Sequence, residues 1–181
     1  MKARPPRLAL LGLTAATLAL AAAAATPGPV RAQDAHLDED CAKAPASLDV
    51  TVEGVRNGKG LITFTLYADN RKKFLAKGAS MARFRVDAKA GITQGCVPLP
   101  APGAYLLAVF HDENSDHVLN RSFIGLPKEG FGFSNNAPAL VGLPSFDAVR
   151  FVAKPGKTPM RIKLHYLSGK EKLPAVPQAA P

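Results

Sequence analysis

Across residues 47–167 apolar and polar residues alternate at a period of two, in short runs broken by glycine and proline. A chain patterned this way has few options besides an antiparallel β fold. Leu48, Val50 and Val52 alternate with Asp49, Thr51 and Glu53, which predicts a half-buried strand. Asn57-Gly58-Lys59-Gly60 follows and predicts a hairpin turn, because Asn and Gly accept positive φ cheaply. LITFTLYA at residues 61–68 is the expected return strand, rich in β-branched and aromatic residues. Residues 71–77 could close one helical turn, with Phe74 and Leu75 turned inward. Residues 81–88 and 92–97 supply two further strands. AYLLAVF at residues 104–110 is apolar on both faces, as suits a central covered strand. Residues 146–153 and 160–166 alternate again. About seven strands with hardly any helix predict an all-β antiparallel sandwich, immunoglobulin-like or transthyretin-like in shape.

The two ends read differently. Lys2, Arg4 and Arg7 precede an apolar run over residues 8–25, and Val30-Arg31-Ala32 forms a small-x-small cleavage site. This is the anatomy of a secretory signal peptide over residues 1–32. Pro27 and Pro29 argue against a membrane-spanning continuation, so no transmembrane segment is expected in the mature chain. No lipobox cysteine follows the run, which removes the usual signal for lipid anchoring. Residues 33–46, acidic and polar, read as an extended lead, and the Pro/Ala-rich residues 168–181 as a disordered tail. Cleavage would leave 149 of 181 residues, with 19 basic against 14 acidic side chains, a net +5 in place of +9. That length suffices for one domain with a real core. The excess charge is scattered apart from Arg71-Lys72-Lys73, so no nucleic-acid partner is expected. An exported chain with an even cysteine count favours a Cys41–Cys96 disulfide over a metal pair or free thiols.

One stretch resists the pattern. Residues 111–136, HDENSDHVLNRSFIGLPKEGFGFSNN, carry no strand or helix period. Connections this long are functional or disordered. Phe123, Ile124, Leu126, Phe131 and Phe133 supply apolar anchors that a solvated linker lacks. The first half is rich in oxygen ligands. Asp112, Asn114 and Asp116 stand at alternate positions, and Asn120 with the Val118 carbonyl could complete a calcium site. His117 occupies the position of the sharp turn and Phe123 that of the bidentate acid. The competing reading is an Asx-rich turn in which these side chains bond their own backbone. The second half alternates Gly130 and Gly132 with Phe131 and Phe133. The phenylalanines either cap the open end of the sandwich or line a pocket or partner surface. Lys128 and Glu129 read as a surface pair. Asn135 and Asn136 suit structural turns or ligand contact. His111, ending the central strand, is either a core-edge histidine bonded to loop backbone or part of a reactive site. Ser122 and Ser134 lack a nucleophile-elbow setting.

Four blocks together resemble a known family. They are the LxVTVxGVRNGKG pattern at residues 48–60, LPAPGAYLLAVFHDEN at 99–114, GLPKEGFGFSNNA at 125–137 and SFDAVRFV at 145–152. In this order they resemble domain-of-unknown-function family 2141, a group of small exported bacterial proteins. The resemblance implies an exported sandwich domain and brings no activity with it. The family's loop usually resembles DxNxDG or DxNGNG followed by an acid; here His117 and Asn120 stand at those two positions.

The expected protein is therefore exported, periplasmic or secreted, monomeric and not an enzyme. It would act as an envelope-associated binding or accessory module for an envelope protein or a small ligand. Two alternatives stand beside it: the same module stabilised by Ca2+ at Asp112, Asn114, Asp116 and Asn120, and a small hydrolase using the loop carboxylates and His111. Contact residues for a ligand or partner would be drawn from His111, Lys128, Phe131, Phe133, Asn135 and Asn136.

Overall fold

The computed structural model describes residues 32–139 and 142–167. All but the last residue of the expected leader, and the whole tail from residue 168, lie outside the described residues. In chain order the elements are α1 (Ala32–Lys43), β1 (Ala46–Val55), β2 (Leu61–Ala68), β3 (Ala82–Asp87), β4 (Gly91–Leu99), β5 (Gly103–Asp112), β6 (Phe131–Phe133), a 3-10 turn (Ser134–Asn136), α2 (Phe146–Val149), β7 (Phe151–Ala153) and β8 (Gly156–Lys163). One sheet has the order β4-β1-β8. The other runs β3-β2-β5-β6, with β7 also paired to β5. β1 pairs antiparallel with β4 and parallel with β8. The fold is an all-β sandwich, and no helix among the described residues is long and apolar enough to cross a membrane.

Period-two burial builds the core. Leu48, Val50 and Val52 from β1 meet Phe64 and Leu66 from β2, Leu107 and Val109 from β5, and Ile162 from β8, all essentially inaccessible. Gly95 in β4 makes room for this packing: a Cβ there would stand 2.7 Å from the Phe64 ring. A second apolar cluster lies on the outer face of the larger sheet. It joins Tyr67, Leu106, Phe131, Phe133, Ala137, Ala139 and Val149. The double coverage explains why β2 is buried along nearly its whole length.

Four local expectations change. β1 and β2 do not form a hairpin, because they belong to opposite sheets. The Asn57–Gly60 turn carries the chain across the sandwich, since the apolar faces of both strands can be buried only against each other. The lead is a helix, not extended: α1 covers residues 32–43. Its Ala, Leu, Glu and Lys content favours helix, Lys43 pairs with Glu39 at 2.5 Å, and Leu37 packs against the core. The expected disulfide forms, with Cys41 and Cys96 at a Cα separation of 6.4 Å, and holds α1 on β4. Residues 146–149 form a helical turn before the short β7, because Ser145 caps it by accepting the Ala148 N–H. Finally, residues 111–136 are not strandless. β5 runs on through Asp112, and β6 brings the strands among the described residues to eight, against about seven expected.

Candidate functional site

The root of the long loop is a buried polar network. His111 closes β5 with no exposed surface. Its Nε2 lies 2.8 Å from the Lys59 carbonyl, which can only accept, so Nε2 carries the proton. Nδ1 then accepts the Tyr166 hydroxyl proton at 2.8 Å, and the Tyr166 oxygen accepts the Arg56 N–H at 3.2 Å. Burial pushes the imidazole below its ordinary pKa of 6.5 and lifts the phenol to about 12; both rings are held neutral. The Arg56 guanidinium stacks over Tyr166 and grips Glu113 through two nitrogens, Nη2 at 2.7 Å. Burial opposes ionisation of Glu113, yet the Arg56 hydrogen bonds and charge outweigh it and hold the carboxyl below its usual value. Gly60 completes the joint. With φ of +69°, it lies so close to the loop that a Cβ would stand 1.9 Å from the Asp112 carbonyl oxygen.

The loop's oxygens are turned onto the loop itself. Asp112 is buried and accepts the Asp116 N–H at 3.1 Å and the His117 N–H at 2.8 Å. Asp116 accepts the Val118 N–H at 2.8 Å and the side-chain amides of Asn114 and Asn120 at 2.9 and 2.8 Å. Those bonds, the Asn120 amide foremost, hold Asp116 below its normal pKa. The four residues considered for calcium thus form an Asx-type turn. Among the described residues no group of three His, Cys, Asp or Glu side chains is placed to hold a metal ion. Glu129 does not lie at the surface. It is buried and accepts the N–H groups of Glu113 at 3.3 Å and Asn120 at 2.9 Å. Burial raises its pKa.

The Gly/Phe half becomes β6 and its flanks. Phe131 exchanges backbone bonds with His165 at 3.0 and 2.8 Å, tying the two sheets together. That crossing demands glycine on both sides. A Cβ at Gly130 would stand 2.3 Å from the Tyr166 ring, and one at Gly132 would stand 2.7 Å from the Lys163 carbonyl oxygen. Asn135 donates to the carbonyls of Ala148 and Arg150 at 3.1 and 2.9 Å. Asn136 accepts the Lys163 N–H at 2.7 Å. Both adopt positive φ, and both act as turn clamps. Ser134 is buried, donating to the Val149 carbonyl at 2.6 Å.

Pairing places Phe131 opposite Phe110, and Phe133 opposite Ala108. All four line a groove of about 600 Å³ on the outer face of the larger sheet. The phenylalanines therefore lie outside the sandwich layer and do not cap its end. Thr65 and Tyr67 of β2 and Arg83 of β3 extend the floor. Leu119, Leu126 and Pro127 of the loop, with Leu143, form the walls. On the same face, one cross-strand pair along from Thr65 and Arg83, lie Thr63 and Arg85. Their Oγ1 and Nε are buried and have no protein partner among the described residues. Of the residues expected at a ligand site, Phe131 and Phe133 reach the groove. His111, Asn135 and Asn136 do not line it, and neither does the exposed Lys128. Arg83, Tyr67 and Phe110 were missed, because the outer faces of β2, β3 and β5 read as ordinary strand residues. The usable signal was β5 itself, whose apolar outer face needs a cover.

Fold and site define an all-β sandwich domain with one outer sheet face roofed by an ordered loop over an apolar groove. The chain belongs to the family described as "Uncharacterized protein conserved in bacteria (DUF2141)", whose model matches residues 50–161. Comparison with curated proteins gave no match, and comparison with solved structures gave none.

Proposed function

We propose that this domain is a non-catalytic binding module, exported to the cell envelope or beyond, that holds an apolar ligand or peptide segment in the outer-sheet groove. The groove's composition carries the reading. Aromatic and aliphatic side chains dominate its surface, and a few polar groups stand at one side, the usual make-up of a small-molecule site. Arg83, with Thr65 beside it, would fix a polar or acidic end of the occupant. Export is supported by the leader-like residues 1–32 and by the Cys41–Cys96 bond, which suits an oxidising compartment.

A hydrolase reading is disfavoured by the same geometry. Both ring nitrogens of His111 are occupied and its surface is inaccessible. The test is titration with an apolar anionic fluorophore, anilinonaphthalene sulfonate. Saturable enhancement is expected, and Ala108→Trp, which fills the groove floor, should abolish it while leaving the folded circular-dichroism spectrum. Enhancement that survives Ala108→Trp unchanged would remove the groove as the site.

A further inference from the structure

We infer that the hairpin at residues 121–127 docks on an anionic lipid surface, inserting Phe123 and Ile124 among the headgroups. The observation is independent of the groove's occupant. Arg121 and Pro127 form a β-bridge, the Ser122 N–H bonds the Leu126 carbonyl at 2.8 Å, and the Gly125 N–H bonds the Ser122 carbonyl at 2.9 Å. This built turn displays apolar side chains outward. Phe123 is fully exposed, and Ile124 and Leu126 expose 64% and 48% of their surface. Val118 and Leu143, at 60% and 73%, line the adjoining groove with Leu126 and extend the apolar surface. Scattered exposed apolar residues need no explanation, whereas a contiguous set of this kind marks an interaction site.

Three features choose a bilayer over a protein socket. The apolar residues crown a convex tip, which suits insertion better than face-to-face docking. Cations stand on the stem, where Arg121 and Lys128 are exposed, as attraction to anionic headgroups requires. The backbone N–H groups of Ser122, Gly125 and Leu126 are also spent inside the hairpin. Besides the two bonds above, Leu126 N–H bonds the Ser122 hydroxyl at 3.2 Å, Lys128 N–H bonds the Asn120 carbonyl at 2.9 Å, and Arg121 Nη1 bonds the Gly125 carbonyl at 3.0 Å. Headgroup oxygens can accept backbone N–H groups at the apex, and the bonds closed within the turn spare the rest of it the cost of desolvation.

The apolar run at residues 8–25 would draw the full chain to vesicles by itself, so the readout must be confined to the tip. The chain has no tryptophan. Phe123→Trp in the full chain therefore puts the sole indole at the hairpin apex. With phosphatidylglycerol vesicles, the expected result is a blue-shifted emission that acyl-brominated lipid quenches. Both signals should be lost on pure phosphatidylcholine and weakened by salt. Ile124→Ser in the same background should weaken partitioning by about tenfold. Gln94→Trp, exposed on β4 of the other sheet, should show neither shift nor quenching. An unshifted, unquenched Trp at position 123 overturns the inference. So does equal quenching at positions 94 and 123, or equal insertion into neutral vesicles.

Discussion

His111 and Gly132 show how single residues hold this fold. His111 is buried neutral, with a native pKa below 6.5. As pH falls below 6.5 the unfolded chain takes up a proton that the native chain refuses, so stability is lost until the native imidazole also titrates. Glu129, raised by burial, works in the opposite sense in the window just above its ordinary 4.5. The melting temperature should therefore fall as pH drops from about 7 to about 5, and His111→Gln, though less stable overall, should flatten that slope. An unchanged slope would assign the acid sensitivity elsewhere. Gly132→Ala would push a Cβ against the Lys163 carbonyl, and backbone cannot yield as a side chain can. It should cost about 2 kcal/mol, read as a lower denaturation midpoint at unchanged m-value. At this scale the sequence showed Gly130 and Gly132 alternating with Phe131 and Phe133, but not the Tyr166 ring and Lys163 carbonyl that require glycine there. The distance in sequence between Arg56, His111, Glu129 and Tyr166 hid their network, because nothing local to any of them signals the others.

At the scale of elements, strands were legible and their partners less so. The alternation of β1 and β2 was clear, yet it says only that each has one face to bury. It does not say whether the faces share a sheet or oppose each other across a core. The Asn-Gly turn fits both. α1 was missed because residues 33–46 lack an apolar stripe: what holds this helix is Leu37 and the bond from Cys41 to Cys96, neither of which periodicity registers. Replacing both cysteines with serine should lower stability by up to about 4 kcal/mol, the loop-closure value for this separation, with loss of hydrogen-exchange protection concentrated in α1. The loop at residues 112–120 was legible as an oxygen-rich turn, and its internal bonds decide which reading holds. Because Asp112 already serves two N–H groups and Asp116 is saturated by amides, millimolar calcium should leave the melting temperature unchanged. A rise of several degrees would mean that the loop opens to take the ion. Asp112→Ala should destabilise the loop by about 1.5–3 kcal/mol, the worth of hydrogen bonds to a charged group.

At the scale of the whole molecule, the sandwich class and the apolar β5 at its centre were readable from pattern alone. The groove was not, because it is assembled from the outer faces of β2, β3, β5 and β6 with a roof drawn from residues 117–127 and 143. One feature of the topology governs how the molecule must come into being. Among the described residues β1 is the first strand and lies between β4 and β8, and its parallel partner β8 is the last. A chain emerging from its N-terminus, from the ribosome or across a membrane, carries β1 with one unsatisfied edge until residue 163 arrives. Such an edge invites pairing with other chains, and long-range closure of this kind is slow. A chain ended after residue 155 should accordingly associate into oligomers that size-exclusion chromatography resolves, and a synthetic peptide spanning β8 should return it to monomer. The domain behaves as a clasp whose final strand is the catch, which makes the interval before that strand appears the period in which it most needs a chaperone.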